Sequence, residues 1–575
     1  MLFRTVWASI PILLFRDLQD NLVKKEKIMS VSYQTKQIDE VMAYHQLSKH
    51  HFNRYAPSLG YLDWATQPDP FRRYAGAKKI PLRKIESDEF LDMDYESVFH
   101  AKTVRHDKDD LNIELISRLF FDSLSLSAWK SAGKSRWALR VNPSSGNLHP
   151  TESYLLSGPM DSICDEAFIA HYSSDEHILE LRSEFDVSLW NKLRKGFPVE
   201  VFFIGLSSIY WREAWKYGER AFRYCHHDIG HAIGAISLAA SSLGWQTTLI
   251  ETLSREELSI LLGLVDSRGP EEEHPDCLIA LTPQANNVNQ TKIAKDIIDQ
   301  FQLLSWHGKA NQLSHSHVSW PNLEKISAVT AKPNNESILF ENLLRGEEKT
   351  TEAYTNQSVS FRKTVRQRRS AVAMDGKTSI SREQFYQILK KTLPEENRYP
   401  YETLPWLPKV HLAIFVHRVK NLEPGLYFLI RNVEQTECLK RVMRSDFLWE
   451  KPAGCPEKLP LFKLLIVDVR DAAKQISCLQ DIAAEGCFSL GMITQFQESL
   501  QKYGAWFYPR LYWECGLVGQ VLYLEAEASG IRATGIGCFF DDPMHRDILG
   551  IKDLSYQSLY HFTIGGALED TRIES

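Results

Sequence analysis

The order of apolar and polar positions predicts strands and helices in both halves of the chain. Short apolar runs typical of buried strands are "SYLLSG", shortly after residues 141–150, "VEVFFIGL" at 199–206 and "LFKLLIVDV" at 461–469. Two longer stretches, 223–245 and 510–531, mix apolar with small residues and run to a glycine near the end. Each therefore predicts a long helix that another backbone can approach closely.

The two predicted helices are related by a shift of 286 positions. The shift aligns Asp228 with Glu514, Gly230 with Gly516, Leu238 with Leu524, Ala240 with Ala526 and Gly244 with Gly530. Each stretch is preceded by a strand-like run, 199–206 or 461–469, which we take as equivalent. The pattern predicts a duplicated α+β unit, and two such units in one chain are expected to pack as an intramolecular pseudo-dimer.

Composition sets the limits of the prediction. The chain has 575 residues, a net charge of −6 and nine cysteines without a C-x-x-C pair. Its length favours at least two domains, and its charge argues against a nucleic-acid binder. The apolar start is too short to cross a membrane and lacks a small-residue cleavage site, so Met29 is a candidate for the true start. We expect a cytoplasmic protein that neither spans nor binds a membrane.

A polar interval between the halves sets the predicted domain limits. Its richness in Asn, Ser, Thr and charge is typical of a long connection. The predicted organisation is an N-terminal extension at 1–39, domain 1 at 40–285, a linker at 286–360 and domain 2 at 361–575.

Several short motifs carry candidate chemistry. Arg368, Arg369 and Ser370 offer two guanidinium groups and a hydroxyl suited to a phosphate, although such runs are more often solvated surface. The stretch "TGIGC" at 534–538 exposes backbone that could face a flat ligand, or it forms a tight turn. "HDIGH" at 227–231 is close to a zinc motif, but no third ligand has a distinctive spacing, and we predict no metal site.

Taken in order, these motifs resemble the FMN-dependent nitroreductases, and more closely the SagB/ThcOx-type peptide azoline dehydrogenases. The matching segments are "PSSGNLHP", "WKYGERAFRYCHHDIGHA", "RRSAV" and "TGIGCFFDD", while residues 44–76 resemble the leader of standalone SagB-like proteins. The resemblance implies two nitroreductase-like domains, each an antiparallel-rich sheet flanked by helices. It also implies an FMN held between them.

The halves depart from the family pattern in opposite ways. Domain 1 has the Pro-Ser loop but no Arg-Arg-Ser motif before it, and domain 2 has Arg-Arg-Ser but reads "NRYPYETLPWLPKVHL" where the loop should follow. One of the two sites of a symmetric dimer would therefore keep both contributions and the other neither. We expect one FMN per chain, bound across the domain interface.

The resemblance assigns roles residue by residue. Arg368 and Arg369 would bind the FMN phosphate with Ser370 nearby, and Arg572 is added as a further basic residue. The ring would lie between two short segments, which are Pro143, Ser144, Ser145 and Gly146 on one side and Ile536, Gly537 and Cys538 on the other. A backbone N–H near the ring would tune its redox potential.

A Lys-Tyr pair, Lys216 and Tyr217, matches the residues on which the azoline dehydrogenases rely for catalysis. A desolvated lysine could take the substrate proton, or Lys216 extends its stem over apolar surface and Tyr217 is a core residue. In domain 2 we take "WFYPRLYWE", which has no lysine, as the corresponding stretch.

Three functions remain open. The favoured one is a SagB-type dehydrogenase that oxidises a peptide-derived azoline-like ring, acting on a small-molecule or modified-peptide substrate with cyclodehydratase-type partner proteins. The second is an NAD(P)H-dependent nitro- or quinone-type flavin reductase. The third is a non-catalytic flavin-binding scaffold subunit of a peptide-modification complex.

Overall fold

The computed structural model describes residues 34–85, 93–100, 111–283, 291–334, 359–395 and 398–569. Arg572, Met29 and the apolar start lie outside the described residues. In the part of the chain that is described, no helix is both long and apolar enough to cross a membrane.

The first half is built on a seven-stranded sheet. Its elements, in chain order, are α1 (residues 34–47), β1 (Tyr74–Ala75), β2 (Lys78–Pro81), α2 (Ile113–Ser123), β3 (Leu126–Ala132), β4 (Ser135–Arg140), β5 (Thr151–Ser157), β6 (Ala167–Ser173), β7 (Ile178–Phe185), α3 (Val187–Leu193), β8 (Phe202–Ile209), α4 (Tyr210–Tyr217), α5 (Ala221–Ser242), β9 (Gln246–Ile250), α6 (Arg255–Leu261), β10 (Glu273–Thr282), α7 (Lys295–Phe301), β11 (Lys309–Ala310) and α8 (Pro321–Val329). The strand order is β2-β7-β6-β5-β8-β10-β9, and every pair is antiparallel.

The second half is built on a six-stranded sheet. Its elements are α9 (Phe361–Gln367), β12 (Ile380–Ser381), α10 (Arg382–Lys391), β13 (Val410–Val416), β14 (Val419–Lys420), β15 (Gly425–Leu429), α11 (Thr436–Val442), β16 (Leu461–Ile466), α12 (Arg470–Ile476), α13 (Ile482–Glu485), β17 (Phe488–Gln495), α14 (Gln497–Tyr503), α15 (Tyr508–Ala528), β18 (Arg532–Ile536) and β19 (Tyr556–Gly565). The order β16-β15-β13-β17-β19-β18, again antiparallel, repeats that of the first sheet without β2. The predicted α+β fold with two antiparallel sheets flanked by helices is confirmed.

The two long helices α5 and α15 pack against each other through reciprocal glycines. A Cβ at Gly230 would clash with the carbonyl of Trp513, and a Cβ at Gly516 would clash with the carbonyl of His227. Each added Cβ would also lie 2.9 Å from the Cα of the other glycine. Both helices are buried along nearly their whole length, so small residues here let the two halves share one core.

The predicted equivalence of the two strand-like runs is wrong. Residues 461–466 form β16 at the edge of the second sheet, whereas β8 of the first half corresponds to β17, which follows it by 286 positions. Both 461–469 and 488–495 read as apolar runs, and the sequence pattern alone did not separate an edge strand from a central one.

Part of the predicted linker is folded. Residues 291–334 contain α7 and α8, and they pack on the first half through buried Ile298, Phe301, Leu323 and Ile326. These apolar residues are spaced like one face of a helix, although polar residues dominate the segment. The exact domain boundaries stay a prediction.

Candidate active site

A cavity of about 910 Å³ lies between the two halves. It brings together eleven of the predicted site residues: Pro143, Ser144, Ser145, Gly146, Tyr217, Arg368, Arg369, Ser370, Ile536, Gly537 and Cys538. Its volume falls in the range of small-molecule and cofactor sites, about 300–1,000 Å³. Segments more than two hundred positions apart in sequence therefore line one cavity.

One part of this cavity carries an excess of positive charge. Arg368 is buried, and among the described residues its Nε has no hydrogen-bond partner, while its Nη2 donates to the carbonyl of Arg140 at 3.1 Å. Burial, with Arg369 and Arg532 close by, lowers the pKa of Arg368 to about 10. Arg369 donates to neutral carbonyl and hydroxyl oxygens, whereas Arg532 pairs with Glu527. An anion such as a phosphate would offset this repulsion.

The helix before this cluster is fixed to the first half of the chain. Arg362 in α9 makes a buried bidentate pair with Asp122 of α2, at 2.8–3.0 Å. Arg366 donates to the Ser125 hydroxyl at 2.7 Å and lies over the ring of Phe121. After α9, Ser370 forms an isolated β-bridge with Ala533 of β18. The Ser370 hydroxyl lies 2.9 Å from the Tyr523 hydroxyl. The arginines are thus held between the two sheets.

The Pro-Ser loop is ordered by a buried carboxylate. Asp228 in α5 accepts hydrogen bonds from the Ser145 backbone N–H at 3.0 Å and from its hydroxyl at 3.1 Å. Burial raises the pKa of Asp228 to about 7, although hydrogen bonds from Ser144 and Ser145 oppose the rise. Gly146 has φ +58°, and a Cβ there would lie 2.5 Å from the Tyr217 hydroxyl. The loop therefore follows the cavity wall closely, and a side chain at position 146 would be strained and would crowd Tyr217.

The opposite wall is made of backbone and aromatic rings. A Cβ at Gly537 would lie 2.5 Å from the ring of Tyr224, and one at Gly535 would clash with the Tyr560 hydroxyl. Arg220 donates to the Gly537 carbonyl at 3.1 Å, and Gln480 donates to that of Cys538 at 2.9 Å. A flat ring can lie against such a wall, because little but backbone projects from the glycine positions.

The two members of the predicted catalytic pair differ in their relation to the cavity. Tyr217 lines the cavity, but Lys216 is not among the lining residues that the structure describes. The Lys216 ammonium lies 5.2 Å from the Tyr217 ring centroid and is close enough to Glu213 to lower the pKa of that carboxyl. Burial is the larger effect on Glu213 and raises its pKa well above the usual range.

The predicted absence of a Lys-Tyr counterpart in the second half is wrong. Lys502, Tyr503 and Gly504 follow Lys216, Tyr217 and Gly218 by the same 286 positions. Both motifs end a helix, and both glycines have positive φ, +54° at Gly218 and +96° at Gly504. The motif thus terminates the helix before α5 and α15 in both halves, and the alignment at "WFYPRLYWE" was misplaced.

The histidines of "HDIGH" have partners within the protein. His227 Nε2 lies 3.1 Å from the carbonyl of Leu559, and its ring stacks on Tyr560 at 4.1 Å. His231 Nε2 lies 3.3 Å from the Tyr560 hydroxyl and lines the cavity. Burial lowers the pKa of both imidazoles, so both are neutral at pH 7.

The equivalent position on the other side of the molecule is filled. Glu514, the counterpart of Asp228, accepts from the backbone N–H groups of Lys409 and Val410 at 2.9 and 3.1 Å. Arg510 and Glu251 stand where the cavity side has Tyr224 and Gly537, and they form a buried bidentate pair at 2.8–3.1 Å. A gap of about 30 Å³ lies beside Arg510.

Sequence reasoning missed several residues of the cavity. Asp228 aligns with Glu514 of the second half, but this alignment alone did not predict that the carboxylate binds a loop. Tyr224 lies within the quoted segment 215–232 but was not singled out, and Tyr523 and Tyr560 belong to no motif, because elements distant in sequence bring them to the cavity.

The fold and the site define a two-sheet α+β protein of nitroreductase fold. Residues 132–281 match the model of the nitroreductase family. No curated protein matches the chain.

One solved structure supports the fold over nearly the whole chain. A "putative nitroreductase" from Anabaena variabilis is 22% identical, with a TM-score of 0.65 over 92% of this chain and 99% of that chain. More distant matches include the E. coli microcin synthetase McbBCD complex with truncated pro-MccB17 bound. It is 15% identical over 44% of this chain and 84% of that chain, with a TM-score of 0.27. A Bacteroides fragilis nitroreductase with bound FMN is 17% identical over 36% and 89%, with a TM-score of 0.19.

Proposed function

We propose that the protein is an FMN-dependent oxidoreductase with one flavin per chain. The observation that carries the proposal is the cavity between the halves. In one part it has Arg368 and Arg369, which pair with no carboxylate among the described residues, and in another it has a glycine-lined wall. FMN has the complementary chemistry, since a dianionic phosphate and a flat ring are joined by a hydroxylated chain. When bound, it would supply a hydride acceptor.

The chain's own residues divide the work of binding. Arg368 and Arg369 would hold the phosphate, with Ser370 beside them. Pro143 to Gly146 and Ile536 to Cys538 would bracket the ring, and Tyr224 restricts how far it can move. Arg572 stays a prediction, because it lies outside the described residues.

Proton movement falls to groups on the first half of the chain. Asp228 lines the cavity with a pKa of about 7, so it can hold or release a proton near neutral pH. Tyr217 reaches the same wall beside Gly146. Lys216 stays a predicted catalytic residue, and its recurrence as Lys502 favours the structural alternative.

The phosphate assignment can be tested by comparing FMN with riboflavin, which lacks the phosphate. Wild-type protein should bind FMN more tightly than riboflavin. Arg368→Ala and Arg369→Ala should each weaken FMN by roughly tenfold or more while leaving riboflavin nearly unchanged, since a hydrogen bond to a charged group contributes about 1.5–3 kcal/mol. Arg546→Ala, at an exposed arginine, is the matched control. Equal losses for both ligands would contradict a phosphate site.

Flavin stoichiometry tests the single site. Reconstituted protein should hold one FMN per chain, because the equivalent position is filled by Arg510 and Glu251. Two flavins per chain would contradict the single site, and no bound flavin would contradict the proposed FMN dependence.

The substrate class is a finer proposal that rests on the sequence resemblance. We propose a SagB-type dehydrogenase that oxidises azoline-like rings of modified peptides, together with cyclodehydratase-type partners. Anaerobic mixing of the flavin-loaded protein with an azoline-bearing peptide should then bleach the flavin absorbance. Rapid bleaching by NADPH, with none by the peptide, would support a nitro- or quinone-type reductase instead.

A further inference from the structure

Two cysteines from separate segments meet in the cavity wall. Cys538 follows β18, and Cys478 follows α12, yet their sulfur atoms lie only 2.9 Å apart. Both residues are half-buried, and Cys538 lines the cavity. The exposed side chains of Leu479 and Tyr55 lie next to the pair, so solvent is close.

The backbone fixes this pairing. Phe540 donates its backbone N–H to the carbonyl of Ile476 at 2.8 Å, and Gln480 donates to that of Cys538 at 2.9 Å. Cys478 and Leu479 both have positive φ, +53° and +62°, in the left-handed region that side-chain-bearing residues seldom adopt. Two such residues in succession turn the chain sharply and bring the Cys478 sulfur to Cys538.

The surroundings make the two sulfurs unequal. His50 Nδ1 accepts the Ala56 backbone N–H at 2.8 Å, so the proton of its neutral ring is on Nε2 and can be donated to Cys538. The contact with the Cys478 sulfur has the largest effect, and the His50 N–H and the positive charge of Arg220 add to it; together they outweigh burial and lower the pKa of Cys538 to about 5. The same contact and burial raise the pKa of Cys478. Cys538 is therefore the nucleophile, and Cys478 remains a protonated thiol.

We propose that Cys538 and Cys478 form a redox-active dithiol that reduces low-molecular-weight disulfides in the wall of the cavity. The proposal does not depend on the flavin or on the proposed function. The proposed dithiol is independent of the nitroreductase fold as such, because it depends on the two cysteine side chains and the histidine beside them.

The chemistry is two thiol–disulfide exchanges. The Cys538 thiolate attacks one sulfur of a disulfide R–S–S–R, forms a Cys538–S–S–R mixed disulfide and releases one RS⁻. The Cys478 sulfur then attacks the Cys538 sulfur, its proton passes to the leaving RS⁻, and a Cys478–Cys538 disulfide closes. Two protein thiols are oxidised, and one external disulfide is reduced to two thiols. An excess of external thiol reverses both steps.

The test uses dithiobis(nitrobenzoate), an aromatic disulfide, on the folded protein. A Cys438→Ser/Cys455→Ser background removes the other half-buried thiols, and the remaining cysteines are buried. One equivalent of reagent should release two nitrothiobenzoate ions per chain, remove two hydrogens from the intact mass and yield a Cys478–Cys538 cross-linked peptide. In Cys478→Ser only one ion should be released, and the adduct should stay on Cys538. A stable adduct on the Cys478-containing protein, with no cross-link, would overturn the proposal.

The pH dependence of alkylation by iodoacetamide gives a second test. If the two cysteines only packed against each other, this pH dependence would not change in the variants. The alkylation rate of Cys538 should be half-maximal near pH 5, and at pH 6 it should exceed that of Cys455 in wild-type protein by at least about tenfold. Cys478→Ser and His50→Gln should each move the midpoint to higher pH, while thermal melting confirms that both variants are folded. An unchanged midpoint in both variants would also overturn the proposal.

Discussion

Asp228 shows how one buried side chain links stability to the cavity. It is the carboxyl beneath the Pro-Ser loop, and it anchors Ser145 while facing the space where a ligand would lie. Its partners are neutral hydroxyl and amide groups, so burial outweighs them and its pKa is raised to about 7. A single residue thus orders the loop and stores a proton near neutral pH.

Replacing Asp228 should change how stability depends on pH. Between pH 3.8 and about pH 7 the folded chain holds this proton more tightly than the unfolded chain. Its contribution is therefore fully present below pH 3.8 and is lost as pH rises to about 7. Relative to wild type, Asp228→Asn should gain unfolding free energy between pH 5 and pH 8, by a few kcal/mol at most, about 1.4 per pKa unit. Urea unfolding at both pH values measures it, and an equal difference at both would contradict the pKa.

Much of the cavity was predictable from sequence at the residue scale, because its motifs are continuous. The Pro-Ser loop, the Arg-Arg-Ser cluster and the stretch 536–538 each lie within a few positions, and local sequence shows them. Asp228 and Tyr224 were not predicted as site residues, since they are ordinary positions of a buried helix until the fold brings Ser145 and Gly537 to them. Lys216 was predicted by its motif and stays a prediction; it is not among the described residues that line the cavity.

At the scale of elements, the contact between α5 and α15 sets the spacing of the two halves. The reciprocal glycines Gly230 and Gly516 leave no room for a side chain, because the opposing atoms are backbone. Asp228 lies two positions from one glycine, and Tyr523 lies on α15 beside Ser370. The helix pair thus also sets the distance between the loop and the arginine cluster.

Gly230→Ala should destabilise the protein even though alanine is the better helix former. The gain in helix propensity is about 1 kcal/mol, but overpacking against a rigid backbone costs about 1–3 kcal/mol and more when nothing can move. Gly234→Ala is the matched control in the same helix, because its nearest neighbour is the flexible side chain of Gln520 at 3.1 Å. Denaturant unfolding should show a clear loss for Gly230→Ala and a much smaller change for Gly234→Ala. An equal loss of unfolding free energy in both variants would contradict the prediction, because it would mean that α5 and α15 can move apart to accommodate the added methyl group.

Element equivalence was the least predictable feature, because it needs both the repeat and the register. A constant shift of 286 positions aligns β8 with β17, β9 with β18 and Lys216 with Lys502. The long helices reveal the shift clearly, because small residues and glycines recur in them. The strands before them do not, because their apolar runs look alike. The folded part of the interval at 291–334 was missed for a related reason, since few apolar positions anchor a largely polar segment.

At the scale of the whole molecule, Asp541 ties the halves together. It follows β18 in the second half and accepts from Arg220 at 2.9 Å and from Arg223 at 2.5 Å, both from the first half. The three side chains are buried, and the two arginines hold the pKa of Asp541 far below its usual range. The N-terminal segment joins them, because His50 donates its backbone N–H to the same carboxylate at 2.8 Å.

Removing this charge should loosen the whole molecule. Asp541→Asn leaves two buried guanidinium groups without a counter-charge, and breaking a buried pair in this way costs about 3–5 kcal/mol. Asp468→Asn removes the partner of Arg470 in an exposed pair and should cost no more than about 1 kcal/mol. Calorimetric melting compares the two variants. A similar small change in both would show that Asp541 does not hold the halves together.

The filled site beside Arg510 has a consequence for how the protein can change over time. In a homodimer every substitution enters both copies, so a pair that plugs one site plugs the other as well. A single chain carries each residue once, which allows Arg510 and Glu251 to close one position while Tyr224 and Gly537 keep its counterpart open. With both halves in one chain, substitutions at Arg510 and Glu251 can therefore change the closed side without changing the residues of the open side.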